Sequence, residues 1–91
     1  MTHDELVDAL GRLPELRDRG GAGRPNFHYK SRPFLHFHED DQGRVYADVF
    51  LGGDDFEEQL AHTDQERDVL YALVLEHVEE TDRPRKKSRR P

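Results

Sequence analysis

Along the chain, apolar and polar positions fall into blocks of different period. In Pro33-Phe34-Leu35-His36-Phe37-His38, and again in Arg44-Val45-Tyr46-Ala47-Asp48-Val49-Phe50-Leu51, the character alternates residue by residue. The polar Glu39-Asp40-Asp41-Gln42-Gly43 stands between them. Residues i and i+2 of a strand point the same way, so this pattern predicts an antiparallel hairpin. One face would carry Leu35, Phe37, Val45, Ala47, Val49 and Leu51, which is a core set. The other would carry Phe34, His36, His38, Tyr46, Asp48 and Phe50. That second face mixes two imidazoles, a carboxylate and a phenol with phenylalanines, which is more aromatic surface than solubility requires.

On either side of the hairpin the period changes to that of a helix. Thr2-His3-Asp4-Glu5 has the form of a capping box, followed by Leu6, Val7, Ala9, Leu10 and Leu13 at helical spacing. Pro14 lacks an amide proton and disfavours helix at Leu13, which predicts an end near Arg12 with one further packed turn at Leu16. Thr63-Asp64-Gln65-Glu66 is a second capping box, and Val69, Leu70, Leu73, Val74, His77 and Val78 then predict a helix from about Asp64 to Glu80. Asn26 to Lys30 reads as a short strand turning through Lys30-Ser31-Arg32 into the hairpin, with Pro33 at a strand start or on an edge. Phe56 to Ala61 fits either a fourth short strand or an irregular segment folding onto the core. The expected fold is α+β: a small antiparallel sheet of three or four strands with an N-terminal and a C-terminal helix packed on one face, in a single domain over residues 1–82.

Composition narrows the function classes. There is no cysteine, which removes disulfides and thiolate chemistry together. No apolar run approaches the roughly 18 residues of a membrane span and the amino terminus is too polar for a secretory signal, so a cytoplasmic protein is expected, without membrane contact. Arginine outnumbers lysine 11 to 3, as in chains from GC-rich bacterial genomes. The net charge of −6 hides an asymmetry: residues 83–91 hold Arg83, Arg85, Lys86, Lys87, Arg89 and Arg90 without an acid, against 8 basic and 20 acidic residues before them. The acidic body should repel nucleic acid. The basic tail is a route to nucleic-acid binding by counterion displacement, but no aromatic is interleaved to stack on bases, and a disordered, solubilising end is the favoured reading.

The chemistry the sequence offers lies on the outer hairpin face. An H-x-H pair on a strand sets two imidazoles on one side, about 6.5–7 Å apart at the backbone. Face alternation then puts His36 beside Tyr46 and near Asp48, so that His36, His38 and Asp48 form a candidate metal set, with Glu39 or His28 as a fourth ligand and zinc as the candidate ion. The competing account is that these rings are half-exposed strand residues covering Tyr46 and Phe50. Other chemistry is poorly supported. Ser31 sits in a turn and Ser88 in the tail, neither in a nucleophile elbow. Glu39-Asp40-Asp41 and Asp54-Asp55 lack the spacing of a calcium loop. Gly20-Gly21-Ala22-Gly23 joins a helix to a strand, the reverse of a phosphate-cradling loop. No catalytic residue is assigned.

The stretch Arg32-Pro33-Phe34-Leu35-His36-Phe37-His38, preceded by Phe27 and followed by Tyr46-Ala47-Asp48-Val49, resembles the centre of the small luciferase-type domain of bacterial proteins. That family continues with a tryptophan strand, and this chain has no tryptophan. The helix, Leu13-Pro14, short sheet and terminal helix are also similar to the MmcQ/YjbR-like family, although Ala47-Asp48-Val49 stands where its lysine-bearing strand is expected. Neither resemblance brings a catalytic residue with it. The expected function is a small binding or interaction module working through Phe34, His36, His38, Tyr46, Asp48 and Phe50, with a protein partner or a second copy covering that face. The alternatives are a metal-dependent enzyme or metal-binding protein centred on His36, His38 and Asp48, and nucleic-acid binding through the tail.

Overall fold

A five-stranded antiparallel sheet with a helix at each end of its chain order makes up most of residues 1–21 and 24–81, the residues that the computed structural model describes. The elements are α1 (His3–Gly11), β1 (Leu16–Asp18), β2 (Asn26–Tyr29), β3 (Arg32–Glu39), β4 (Val45–Val49), β5 (Glu57–Leu60) and α2 (Asp64–Thr81). The sheet is a meander in which each strand pairs with the next, in the order β1-β2-β3-β4-β5. The predicted basic tail, residues 83–91, lies outside the described residues.

Local chemistry explains where the helices begin. Thr2 Oγ1 accepts from the Glu5 amide at 3.1 Å and Glu5 Oε1 accepts from the Thr2 amide at 2.8 Å, so two otherwise orphaned donors are satisfied reciprocally. Thr63 and Glu66 do the same for α2, at 3.1 and 3.0 Å. Leu6 and Leu10 of α1 and Leu70, Val74 and Val78 of α2 are at most 1% exposed, and they share one core with Phe27, Leu35, Ala47 and Val49 of the sheet. Each such side chain contributes about 1.5–3 kcal/mol on burial. Arg67 ties the helix starts together, donating to the Met1 carbonyl at 2.8 Å and to the Ala61 and His62 carbonyls at 3.1 and 2.9 Å.

The two strands beyond the hairpin and Asn26 segment come from unlike causes. The helix ends at Gly11, a turn closed by the Leu16 amide on the Leu13 carbonyl at 3.1 Å follows as expected, and buried Leu16 then also opens β1, where Leu16, Arg17 and Asp18 pair with Tyr29, His28 and Phe27. Within Phe56 to Ala61 the strand alternative holds for Glu57–Leu60, which form β5 and pair with β4 over Tyr46↔Leu60 to Val49↔Glu57. Of that segment Ala61 is fully buried, while Phe56 and Leu60 remain 38% and 42% exposed.

Phe34 is the main departure from strict alternation. Phe27 pairs with Leu35 and His28 with Pro33, so Phe34 is an extra residue in β3 with no partner on β2, a β-bulge. Pro33, which has no amide to give a ladder, sits beside the irregularity. The bulge turns Phe34 inward next to Leu35, and both are buried. Phe34 stacks on His77 of α2 with ring centroids 5.7 Å apart and tilts against Tyr29 at 5.4 Å. It therefore belongs to the core and not, as alternation predicts, to the outer face.

Candidate functional site

Both helices pack against the face that carries Leu35, Ala47 and Val49, which leaves the opposite face of β3, β4 and β5 uncovered by them. The β3–β4 connection sets what stands where on that face. Asp40 organises it: Oδ1 accepts from the Gln42 and Arg44 amides at 2.9 and 3.0 Å and Oδ2 from Arg44 Nε at 2.8 Å, while Gly43 takes a φ of +80°. Those amide bonds, first of all the one from Arg44, hold the Asp40 carboxyl below its ordinary pKa. The loop closes on a Glu39↔Val45 pair, and the register that follows is His38↔Tyr46, Phe37↔Ala47 and His36↔Asp48.

This register revises the expected neighbours. His36 faces Asp48 rather than Tyr46, and its Nε2 lies 3.1 Å from Asp48 Oδ2. His38 faces Tyr46, on whose ring it stacks at 5.5 Å and 12°. His38 Nε2 also reaches the other Asp48 oxygen, Oδ1, at 3.3 Å. Asp48 is thus shared by both histidines, one oxygen each. Of the two proposed fourth ligands neither comes in. Glu39 has the strand parity of Leu35 and Phe37, and His28 pairs with Arg17 and Pro33, beyond the bulge. Their place is taken by Glu58 of β5, directly opposite Asp48, whose Oε2 lies 3.2 Å from His38 Nε2. Among the described residues, ligand atoms of His38, Asp48 and Glu58 all lie within 4.8 Å of one another. No sequence signal pointed to Glu58, because Glu57-Glu58-Gln59-Leu60 has neither alternation nor β-branched residues; only pairing with β4 brings it in.

An aromatic patch adjoins this polar cluster. Phe50, partly buried and packed against the core, also sets its ring edge-on to Phe56 at 5.6 Å, and Phe56 in turn meets His36 at 5.9 Å. Tyr46 and Glu58 also line a groove of about 830 Å³ that runs past Leu60 to Val69 at the start of α2. A second groove, of about 620 Å³, reaches His38 from Phe37, Val45 and His3. The side chains of His36, His38, Asp48 and Glu58 are 43%, 36%, 28% and 58% exposed, so a solute can approach every member.

The fold and site thus define a small α+β domain with an open histidine, carboxylate and aromatic face. Compared with family models, curated proteins and solved structures, the chain matches none. Among the described residues no helix is long and apolar enough to cross a membrane.

Proposed function

We propose that this chain is a small binding module that works through the open face of its sheet, in the cytoplasm, with a second copy of itself as the first partner. The observation that carries the reading is the position of Phe56 and Leu60. Both are more than a third exposed, both lie against the helix-free side, and they flank a surface already built from Phe50, Tyr46 and His36. An apolar patch rimmed by imidazoles and carboxylates that already pair within the chain is suited to an isologous contact, in which Phe56 and Leu60 of one copy meet the same patch of the other.

Sedimentation of the full chain over a rising concentration series tests this. We expect a reversible dimer, and we expect Leu60→Glu and Phe56→Glu to be monomeric while keeping the far-UV spectrum and melting temperature of the parent. A parent that stays monomeric throughout, or variants that dimerise equally well, would overturn self-association through this face.

A further inference from the structure

The surroundings of His38 go a step beyond a binding face. Its Nε2 confronts two carboxylate oxygens at once, Asp48 Oδ1 at 3.3 Å and Glu58 Oε2 at 3.2 Å. One ring nitrogen carries at most one hydrogen, in the ring plane, and can donate it along only one of those directions. Both separations also exceed the roughly 2.7–2.9 Å of a charge-assisted N–H···O bond. Asp48 and Glu58 stand directly opposite each other on neighbouring strands, where like charges repel. Two carboxylates converging on one imidazole nitrogen hold more negative charge than a single proton balances. A dication balances it.

We propose that His38, Asp48 and Glu58 bind a first-row transition dication of the zinc type, through Nε2 and one oxygen from each carboxylate. The proposal rests on the open sheet face being the working surface and names an ion as one of its ligands. Ligand bonds of 2.0–2.2 Å in a tetrahedron imply ligand–ligand edges of about 3.3–3.6 Å, so the two His38 contacts, at 3.3 and 3.2 Å, are already within a few tenths of an ångström of two such edges. An imidazole with two carboxylates suits zinc or manganese rather than magnesium or calcium, which prefer all-oxygen shells. His36 is outside the trio and holds the second Asp48 oxygen at 3.1 Å, the place of a positioning residue that orients a ligating carboxylate. Three protein ligands would leave a tetrahedral ion one position for water or a further ligand, on a surface where Glu58 borders one groove and His38 the other.

The test is a titration of the full chain with zinc chloride against a chromophoric chelator, repeated with cobalt(II) to read the ligand-field spectrum. We expect one ion per chain with micromolar or tighter affinity. His38→Ala and Glu58→Gln should each abolish saturable binding while leaving the metal-free melting curve near that of the parent. His36→Ala should weaken binding about 10–100-fold with stoichiometry and cobalt spectrum retained, and His62→Ala should change nothing. Absence of a saturable one-to-one complex, or a His38→Ala chain that titrates like the parent, would overturn the site. Loss in His36→Ala as complete as in His38→Ala would overturn the assignment of His36 as a positioning residue. Sedimentation in the presence of a chelator keeps the two readings apart: a dimer without zinc binding sinks the ion and leaves the face standing, and zinc binding by a monomer does the reverse.

Discussion

The two faces of the β3–β4 hairpin are made from interleaved residues of the same strands, yet they have opposite characters. Leu35, Ala47 and Val49 are fully buried, whereas His36, His38 and Asp48, which alternate with them, remain 43%, 36% and 28% exposed at the side chain. Strand geometry alone does not create that difference. It arises because both helices carry their apolar stripes to one side, so a single face has to supply the packing that specifies the fold. The other face is released from that duty and can hold polar groups at short mutual distances. Substitutions should therefore divide by face, with stability responding on one side and association or ion binding on the other.

The largest effect expected on stability is at Phe34, because the bulge moves it from the open face to the covered one. Phe34→Ala should lose about 3–5 kcal/mol, the usual range for a buried phenylalanine, while His36→Ala, two residues away, should lose less than about 1 kcal/mol. Urea denaturation of both variants measures the contrast. Comparable small losses would mean that Phe34 does not reach the core and that the strand keeps simple alternation.

This contrast also shows what the sequence could and could not reveal. Alternation identified the inner set Leu35, Phe37, Val45, Ala47, Val49 and Leu51, and every member is buried or packed against the core. Capping boxes at Thr2 and Thr63 located both helix starts. Alternation, however, reports only which face a residue is on. A register shift of two leaves every face unchanged while exchanging neighbours, which is why His36 met Asp48 instead of Tyr46. The register depends on how many residues the Asp40 loop consumes, and the bulge at Phe34 depends on pairing with β2. Neither is encoded in a local period. Glu58 was illegible for the same reason, since an edge strand of charged residues becomes part of the site only through its neighbour.

A smaller effect concerns the turn between β2 and β3. Lys30 and Ser31 join β2 to β3 as the two central residues of a tight turn, with φ values of +55° and +67°. Two-residue hairpins of this kind ask for glycine or asparagine, because a side chain at positive φ costs about 1–2 kcal/mol. Glycine recovers that strain but loses about 0.5–1 kcal/mol in chain entropy. Ser31→Gly should therefore stabilise the protein by roughly 0.5–1 kcal/mol, and hydrogen exchange of the β2 and β3 amides should slow. Destabilisation would show that the serine side chain does more at this turn than tolerate its backbone.

The smallest expected effect tests the covered face with pH. His77 lies on that side, stacked on Phe34 and edge-on to Tyr29 at 5.9 Å, with Lys30 and Glu80 as its charged neighbours. Burial, seconded by the Lys30 ammonium and partly opposed by Glu80, holds its pKa below the ordinary histidine value. The unfolded chain takes up the proton near pH 6.5, before the folded chain does, so between the two values the unfolded state binds more protons and stability rises with pH. This contribution is complete above about pH 6.5, declines as pH falls toward the folded value, and levels off below it. Carboxylates titrate over part of the same range, so the useful quantity is the difference between the parent and His77→Gln, whose side chain is neutral throughout. The parent's advantage in melting temperature should be greatest near pH 8 and shrink toward pH 5. An advantage that grows on acidification would mean that the ring is protonated more readily in the fold than out of it, and that Glu80 outweighs burial and Lys30 together.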